Sequence, residues 1–436
     1  MKSSLPKEFN VQAIIYPSSI AGTIQAPASK SSMQRGCAAA LLHEGTTIIS
    51  NPGKSNDDLA ALDIIRRLGA TVRAITGERV EIISRGVHPV EHEIDCRESG
   101  LSVRMFASIA ALSDQQIILM GRGSLMNRPM HFFDKTFPKL GIKVRSNKGM
   151  LPITLKGPLR PKNIIADGSL SSQYLTGLLF AYAKAVTQPV TIRVKDLNSK
   201  PYIDLSLQVL KKFGYEIIND NYKVFTILPA RPINNKVIEY TVEGDWSGAA
   251  FLLVAAAIGG NCTITGLDTS SFQGDRSITK ALILANANLV IEENLISVMP
   301  GKLKSFQFDA TDSPDLFPPL VALAAYCEGI SVIKGVNRLA YKESNRSIAL
   351  MEEFGKMGVR VEMKDDLMFI KGGDQVYGAV VHSHFDHRIA MACAVAALHA
   401  ENETVLEGAE AINKSYPDFY KHLKMIGVNV SLPINN

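Results

Sequence analysis

Leu68-Gly69-Ala70-Thr71-Val72 sets an apolar residue before a glycine, two variable residues after it, and a β-branched residue at the end. The pattern returns as Leu140-Gly141-Ile142-Lys143-Val144, Phe213-Gly214-Tyr215-Glu216-Ile217, Ala287-Asn288-Leu289-Val290-Ile291, Met357-Gly358-Val359-Arg360-Val361 and Ile426-Gly427-Val428-Asn429-Val430. The Gly or Asn positions 69, 141, 214, 288, 358 and 427 are 72, 73, 74, 70 and 69 residues apart. Six units of that length fill the chain of 436 residues, so internal repetition is the first property to explain.

The signature has a mechanical meaning. A helix ends, Gly or Asn takes the left-handed conformation at the position after the cap, and a strand begins. Asn288 is read as the substitute because Asn is the other residue that tolerates that conformation. Upstream, each unit has a small-residue apolar helix, as in Gln34–Leu42, Val103–Leu112, Tyr174–Tyr182, Gly248–Ile258, Leu316–Tyr326 and Ile389–His399. A β-branched run, a second and more amphipathic helix, and strand pairs such as Arg79–Ile83 and Leu367–Ile370 complete it. Each unit therefore reads as β-α-β-α-β-β. The first helices are apolar nearly all round, which predicts burial inside a layered α/β structure.

Composition narrows the function. The longest apolar runs, such as Ala249–Ile258, fall far short of the roughly 20 residues of a membrane span. Met1–Glu8 lacks the apolar core of a signal peptide. Five cysteines, odd in number and with no C-x-x-C, predict reduced thiols and a cytoplasmic location. Cys37, Cys327 and Cys393 read as packing residues within apolar helices. A net charge of +5 is too dilute for nucleic acid but compatible with a local basic pocket for a small anion.

The polar residues collect where helices begin. Ser, Asp and Asn at such places cap free N–H groups and need no further role. Lys and Arg are different, because a cation at a helix N-terminus opposes the macrodipole by a few tenths of a kcal/mol, up to about 1. Lys30, Arg35, Arg104, Arg128, Lys342, Arg346, Arg388 and Lys414 all lie in these segments. A bound anion would relieve the conflict, and so many cations imply more than one anionic group, such as phosphate with carboxylate. Asp315, between Pro314 and the apolar run Leu316–Leu323, reads either as a cap or, beside cations, as a poised acid or base.

Other signals fail. Gly53-Lys54-Ser55 ends like a P-loop, but Ile48 stands where the first Walker glycine belongs. No G-x-G-x-x-G follows a strand, so there is no dinucleotide fingerprint. His382-Ser383-His384 with Asp386 and His387 has no partner cluster at ligand spacing elsewhere, so no metal is expected.

Taken in order, several blocks resemble the 3-phosphoshikimate 1-carboxyvinyltransferase (EPSP synthase) family over essentially the whole length. They are Pro27-Ala28-Ser29-Lys30-Ser31 with Arg35, Asp167–Gln173, Ser199-Lys200-Pro201-Tyr202-Ile203-Asp204 and Val242–Asp245. Pro314-Asp315, Lys342–Arg346, Asp386–Met391 and Lys414–Phe419 follow. The resemblance implies two similar domains of inside-out α/β barrel type, each a pseudo-threefold set of three βαβαββ units. One domain would be residues 1–27 with 244–436, the other 28–243, with a hinge near 27–28 and 243–244.

It also implies transfer of the enolpyruvyl group of phosphoenolpyruvate to the 5-hydroxyl of shikimate 3-phosphate, with no metal or organic cofactor and a monomer as the expected state. By position, Ser31, Arg35, Ser171, Ser172, Gln173, Ser199 and Tyr202 match shikimate 3-phosphate contacts, with Asp315 and Lys342 around the 5-hydroxyl. Lys30, Gly100, Arg128, Gln173, Arg346, Arg388 and Lys414 match the phosphoenolpyruvate clamp. Lys30, Asp315, Lys342, Glu343 and His387 match catalytic positions, Glu343 being the acid near the methylene carbon. Closure of the two domains would expel water from the reacting groups.

The segment Arg97–Met105 departs from the family's common Asn-Ala-Gly-Thr-Ala-x-Arg-Pro form. Glu98 replaces Asn, Leu101 replaces Thr and Met105 replaces Pro, while Gly100 and Arg104 remain. The changes predict weaker inhibition by glyphosate than in enzymes with the common form. Two alternatives fail on residues. The related transferases acting on UDP-N-acetylglucosamine need a loop cysteine, which no cysteine here matches. A non-catalytic scaffold would not need Lys30, Asp315, Glu343 and His387.

Overall fold

The computed structural model describes residues 11–230 and 237–432. Met1–Glu8, read above for a signal peptide, lies outside them. The described chain forms six four-stranded sheets, and in each a parallel pair is extended by antiparallel strands. In the sheet that follows the first apolar helix the order is Ile238–Thr241, Gly45–Ser50, Arg79–Ser84, Thr71–Ile75. Ile238–Thr241 runs parallel to Gly45–Ser50 and the other neighbours are antiparallel. Burial alternates along Arg79–Ser84 and Met150–Lys156, the period expected when one face of a strand is covered.

The helices lie where the repeat predicts. Lys30–Leu42 has every residue from Ser32 to Leu42 buried, and all residues of Gly100–Ala110, Phe317–Ala325 and His387–Ala396 are buried. These helices are apolar all round because they lie inside their units, and Ala and Gly let them approach. At Gly177, in the helix Ser172–Ala185, a Cβ would come within 2.7 Å of the Arg104 carbonyl and 2.8 Å of the Met105 carbonyl. The second helices are more polar on one side, and three of them are short: His131–Thr136, Ile278–Leu284 and Phe419–Met425. Asn56–Arg67 begins with a capping box, in which the Ser55 side chain accepts from Asp58 N–H while the Asp58 side chain accepts from Ser55 N–H.

Gly69, Gly141, Gly214, Gly358 and Gly427 all have positive φ, as the signature requires. Asn288 does not; it opens the strand Asn288–Glu292. The left-handed residue is Asn286, at φ +61°. Its N–H bonds Ile283, just as Gly69 N–H bonds Arg66. The register thus moves by two residues, and Asn286 stands 72 residues from both Gly214 and Gly358. Cys37 and Cys393 lie within apolar helices, but Cys327 lies just beyond the helix Phe317–Ala325 and hydrogen-bonds the Leu323 carbonyl. All five cysteines are buried and unpaired as disulfides. Among the described residues no helix is long and apolar enough to cross a membrane.

The chain divides into two compact units. The first is Pro27–Trp246 with Ser270–Arg276; the second is the described residues up to Ala26, Ser247–Thr269, and the chain from Ser277 onward. Three sheets borrow a strand from far along the chain. Ile238–Thr241 serves the first repeat; Ile20–Gln25 pairs with Gly260–Thr265; Gln12–Ile15 pairs with Thr404–Glu407 and Val430–Ser431. At the boundary Ala28 bridges Gly244, Ser29 N–H bonds the Glu243 carbonyl at 2.9 Å, and Asp245 N–H bonds the Pro27 carbonyl at 2.7 Å. Gln273 joins them by donating to the Gly244 carbonyl and accepting from Ser29 Oγ.

Candidate active site

In the first unit the candidate residues sit at the starts of four helices. Ser29 caps Lys30–Leu42, Ser99 caps Gly100–Ala110, Ser171 caps Ser172–Ala185, and Ser199, left-handed at φ +56°, precedes Lys200–Lys212. Lys30, the first residue of its helix, pairs with Asp57 at 2.9 Å. One turn on, the buried Arg35 donates to Ser206 Oγ at 2.9 Å, the Ser31 carbonyl at 2.8 Å and the Tyr202 carbonyl at 3.2 Å. Burial pulls its pKa down to about 10, against the raising influence of Tyr202, Tyr240 and Glu243. Arg35 thus ties the starts of two helices together.

Gly100, Arg104, Arg128 and Gln173 converge. A Cβ on Gly100 would stand 2.8 Å from Arg128 Nη1, 3.1 Å from Arg104 Nη1 and 3.8 Å from Gln173 Oε1. Arg104 donates to Gln173 Oε1 at 2.9 Å and lies over the Tyr174 ring. Arg128, 5% exposed, donates to Ser124 Oγ at 3.0 Å. Two guanidinium groups and a glycine helix start are a donor set for an oxyanion. Arg104 and Asp57 had no assigned role in the sequence; position 104 was legible only as one more cation near a helix start. Glu98 lies in the preceding loop, its carboxylate against Gly123. Leu101 and Met105 are buried in the same helix.

In the second unit the charges form a network. Asp315 lies in a 3₁₀ turn ahead of Phe317–Ala325. Its Oδ1 accepts from Arg346 Nη1 at 2.6 Å and Lys342 Nζ at 3.0 Å, and its Oδ2 from Arg388 Nη2 at 3.3 Å. Arg346, at 1% side-chain exposure, also reaches Glu343 at 2.7 Å and Asp386 at 2.7 and 3.2 Å. Three carboxylates therefore share one guanidinium. Burial alone would raise the Asp315 pKa, but Arg388, Lys342 and Arg346 outweigh it and hold the carboxyl well below the usual range. Burial lowers Lys342, with Asp315 opposing. Arg346 is raised despite burial, by Asp386, Glu343 and Asp315.

Asp386, whose role the sequence does not indicate, is fully buried and caps His387–Ala396 through Arg388 N–H at 3.0 Å. His387 Nδ1 lies 3.7 Å from Asp386 Oδ1. Lys414 ends the 3₁₀ stretch Ala409–Lys414 rather than opening a helix, and is buried. Of the histidines read as lacking a partner cluster, His384 does have one among the described residues. His384 Nε2 lies 2.7 Å from Glu353 and 3.9 Å from Glu352, on the helix Arg346–Lys356. Lys356 already occupies both Glu353 oxygens, at 3.0 and 2.7 Å.

Repeated βαβαββ units with cations and ionised carboxylates at their helix starts define an α/β enzyme for small anionic substrates. The profile of the EPSP synthase (3-phosphoshikimate 1-carboxyvinyltransferase) family matches residues 15–423. A 3-phosphoshikimate 1-carboxyvinyltransferase of Clostridium novyi is 35% identical over 422 residues, 95% of this chain and 97% of that one. Its counterpart in Clostridioides difficile is 35% identical over 424 residues, again 95% and 97%. An EPSP synthase structure from Acinetobacter baumannii superposes with a TM-score of 0.80 at 24% identity, covering 97% of this chain and all of that one. The chain belongs to the EPSP synthase family.

Proposed function

We propose that this chain transfers the enolpyruvyl group of phosphoenolpyruvate to the 5-hydroxyl of shikimate 3-phosphate, releasing phosphate. The observation that carries the reading is the ionised Asp315 held by Lys342, Arg346 and Arg388, with Glu343 on the same Arg346. The hydroxyl oxygen bonds C2 of phosphoenolpyruvate while a proton reaches C3. Phosphate then leaves C2, C3 gives up a proton, and the double bond returns. Addition needs an acceptor for the hydroxyl proton and a donor for C3.

Asp315, with its depressed pKa, orients the hydroxyl. Lys342 donates to Asp315 as an ammonium and burial lowers its pKa, so it accepts the hydroxyl proton once it has shed its own. Glu343 serves the methylene carbon, and His387 lies beside the same network. Arg346 is committed to carboxylates of the protein itself, so it fixes Asp315 and Glu343 and leaves more of the phosphoenolpyruvate clamp to Arg388 and Lys414. Lys30, Gly100, Arg128 and Gln173 supply the rest of that clamp. Arg35 braces Ser31 and Tyr202 for shikimate 3-phosphate, beside Ser171, Ser172 and Ser199.

Residues 27–28 and 243–244 serve as the hinge, and the working state is a cytoplasmic monomer. The test is phosphate release from phosphoenolpyruvate with shikimate 3-phosphate, and separately with UDP-N-acetylglucosamine. Release only with the first is expected; release with neither, or only with the second, overturns the reading.

A further inference from the structure

The segment from His382 to Arg388 carries three residues of the charged network, and a buried carboxylate outside that network grips it. The helix Arg346–Lys356 holds the segment at two points seven residues apart, hence on one face. At the first, Arg346 donates to both oxygens of Asp386. At the second, Glu353, only 2% exposed, accepts from His382 N–H at 2.9 Å and from His384 Nε2–H at 2.7 Å.

Between the two grips the backbone is in an unfavourable state. His384 and Phe385 have φ of +53° and +55°, two consecutive side-chain-bearing residues in the left-handed region. Such a conformation persists only where the surroundings impose it. Within the turn, Ser383 Oγ accepts from Phe385 N–H at 3.1 Å and the Ser383 carbonyl from Asp386 N–H at 2.9 Å. Gly408 gives it room, since a Cβ there would meet Ser383 Oγ at 2.4 Å. The turn delivers the chain directly to Asp386, His387 and Arg388.

We propose that Glu353 is a positioning residue, whose carboxylate holds the left-handed turn and so sets where Asp386, His387 and Arg388 stand relative to Asp315. The kinetic part of the test rests on the enolpyruvyl-transfer reading; the exchange part does not. Glu353→Gln keeps the shape and removes the charge shared by Lys356 and His384. It should raise KM for phosphoenolpyruvate by up to about a hundredfold, the scale on which misplaced groups act, and leave KM for shikimate 3-phosphate unchanged. Amide hydrogen exchange over residues 383–388 should accelerate, whether or not substrates turn over.

A second pair separates the turn from the ring. His384→Ala and His384→Gly both remove the imidazole, but only glycine accepts the left-handed backbone freely. His384→Gly should therefore retain the lower KM for phosphoenolpyruvate of the two. An unchanged KM and unchanged exchange in Glu353→Gln, or equal effects of Ala and Gly at 384, overturns the proposal. Absence of turnover by the unaltered protein overturns the functional reading instead, and exchange in Glu353→Gln still decides the role of Glu353.

Discussion

Arg346 meets Asp386 through two hydrogen bonds, Nε to Oδ2 at 2.7 Å and Nη2 to Oδ1 at 3.2 Å, with both side chains closed to solvent. Removing one partner of a buried pair strands the other charge, at a cost of about 3–5 kcal/mol. Arg346 keeps Asp315 and Glu343 after Asp386→Ala, so its charge is not left alone; with the cap on Arg388 N–H also lost, the variant should lose stability toward the lower end of that scale, read from the denaturant midpoint at constant slope. A loss no larger than that of an ordinary surface change would mean the pair is dispensable.

Asp315 and Glu343 share Arg346 but should differ from Asp386 in what they do. Glu343→Gln is expected to lower kcat by about a hundredfold or more, the range of proton-transfer groups, and Asp315→Asn by about a hundredfold, the range of a misplaced reacting group. Calorimetric binding of shikimate 3-phosphate should survive both. Loss of binding with little loss of kcat would assign these residues to the substrate rather than to the chemistry.

Asp315 also predicts a pH behaviour. Its folded pKa lies well below the ordinary value. Its contribution to stability is therefore full above about pH 4 and fades only as pH falls through the folded value. Asp58 has the opposite sign. Burial raises its pKa to about 7, although the Ser55 hydroxyl and N–H both hydrogen-bond the carboxylate. The folded protein then holds that proton more tightly than the unfolded chain, so Asp58 supports folding below about pH 4 and the support is lost as pH rises toward about 7. Asp58→Asn should gain on the unaltered protein across that window. Parallel stability curves would remove Asp58 as the cause.

Gly100 faces two guanidinium groups closely enough that a methyl group must push them aside. Side-chain ends yield more readily than backbone, so Gly100→Ala should fold normally and raise KM for phosphoenolpyruvate by up to about a hundredfold through misplacement of Arg128 and Arg104. The helix bearing Gly100 is fixed by Leu101 and Met105 in the core and by the close approach of Gly177. Its departures from the family form should leave glyphosate a weak inhibitor. A submicromolar inhibition constant would show that they do not disturb the anion site.

Much of this was legible in sequence because a fold built by repetition prints its period. Glycine after a helix and small residues along buried helices are local demands, visible residue by residue. The register at Asn286 was missed because Asn286 and Asn288 flank Ala287, and a pattern alone does not say which Asn carries positive φ. The cations near helix starts were legible through their conflict with the dipole. Their partners were not: Lys30 with Asp57, Arg104 with Gln173 and Glu353 with His384 are made by packing between helices and loops far apart in sequence. Arg346 was expected among substrate ligands; only its three carboxylate partners show how far it is occupied by the protein itself.

The pairing of Gln12–Ile15 with Thr404–Glu407 has a consequence for synthesis on the ribosome. Gln12 and Glu407 are 395 residues apart, so at about 5–20 residues per second the strand waits on the order of 20–80 s for its partner. The sheet of the first repeat closes much earlier, once Ile238–Thr241 emerges. The earliest of the described β-strands is thus among the last to find its sheet, and in the interval its open edges are the nascent chain's exposure to chaperones and to aggregation.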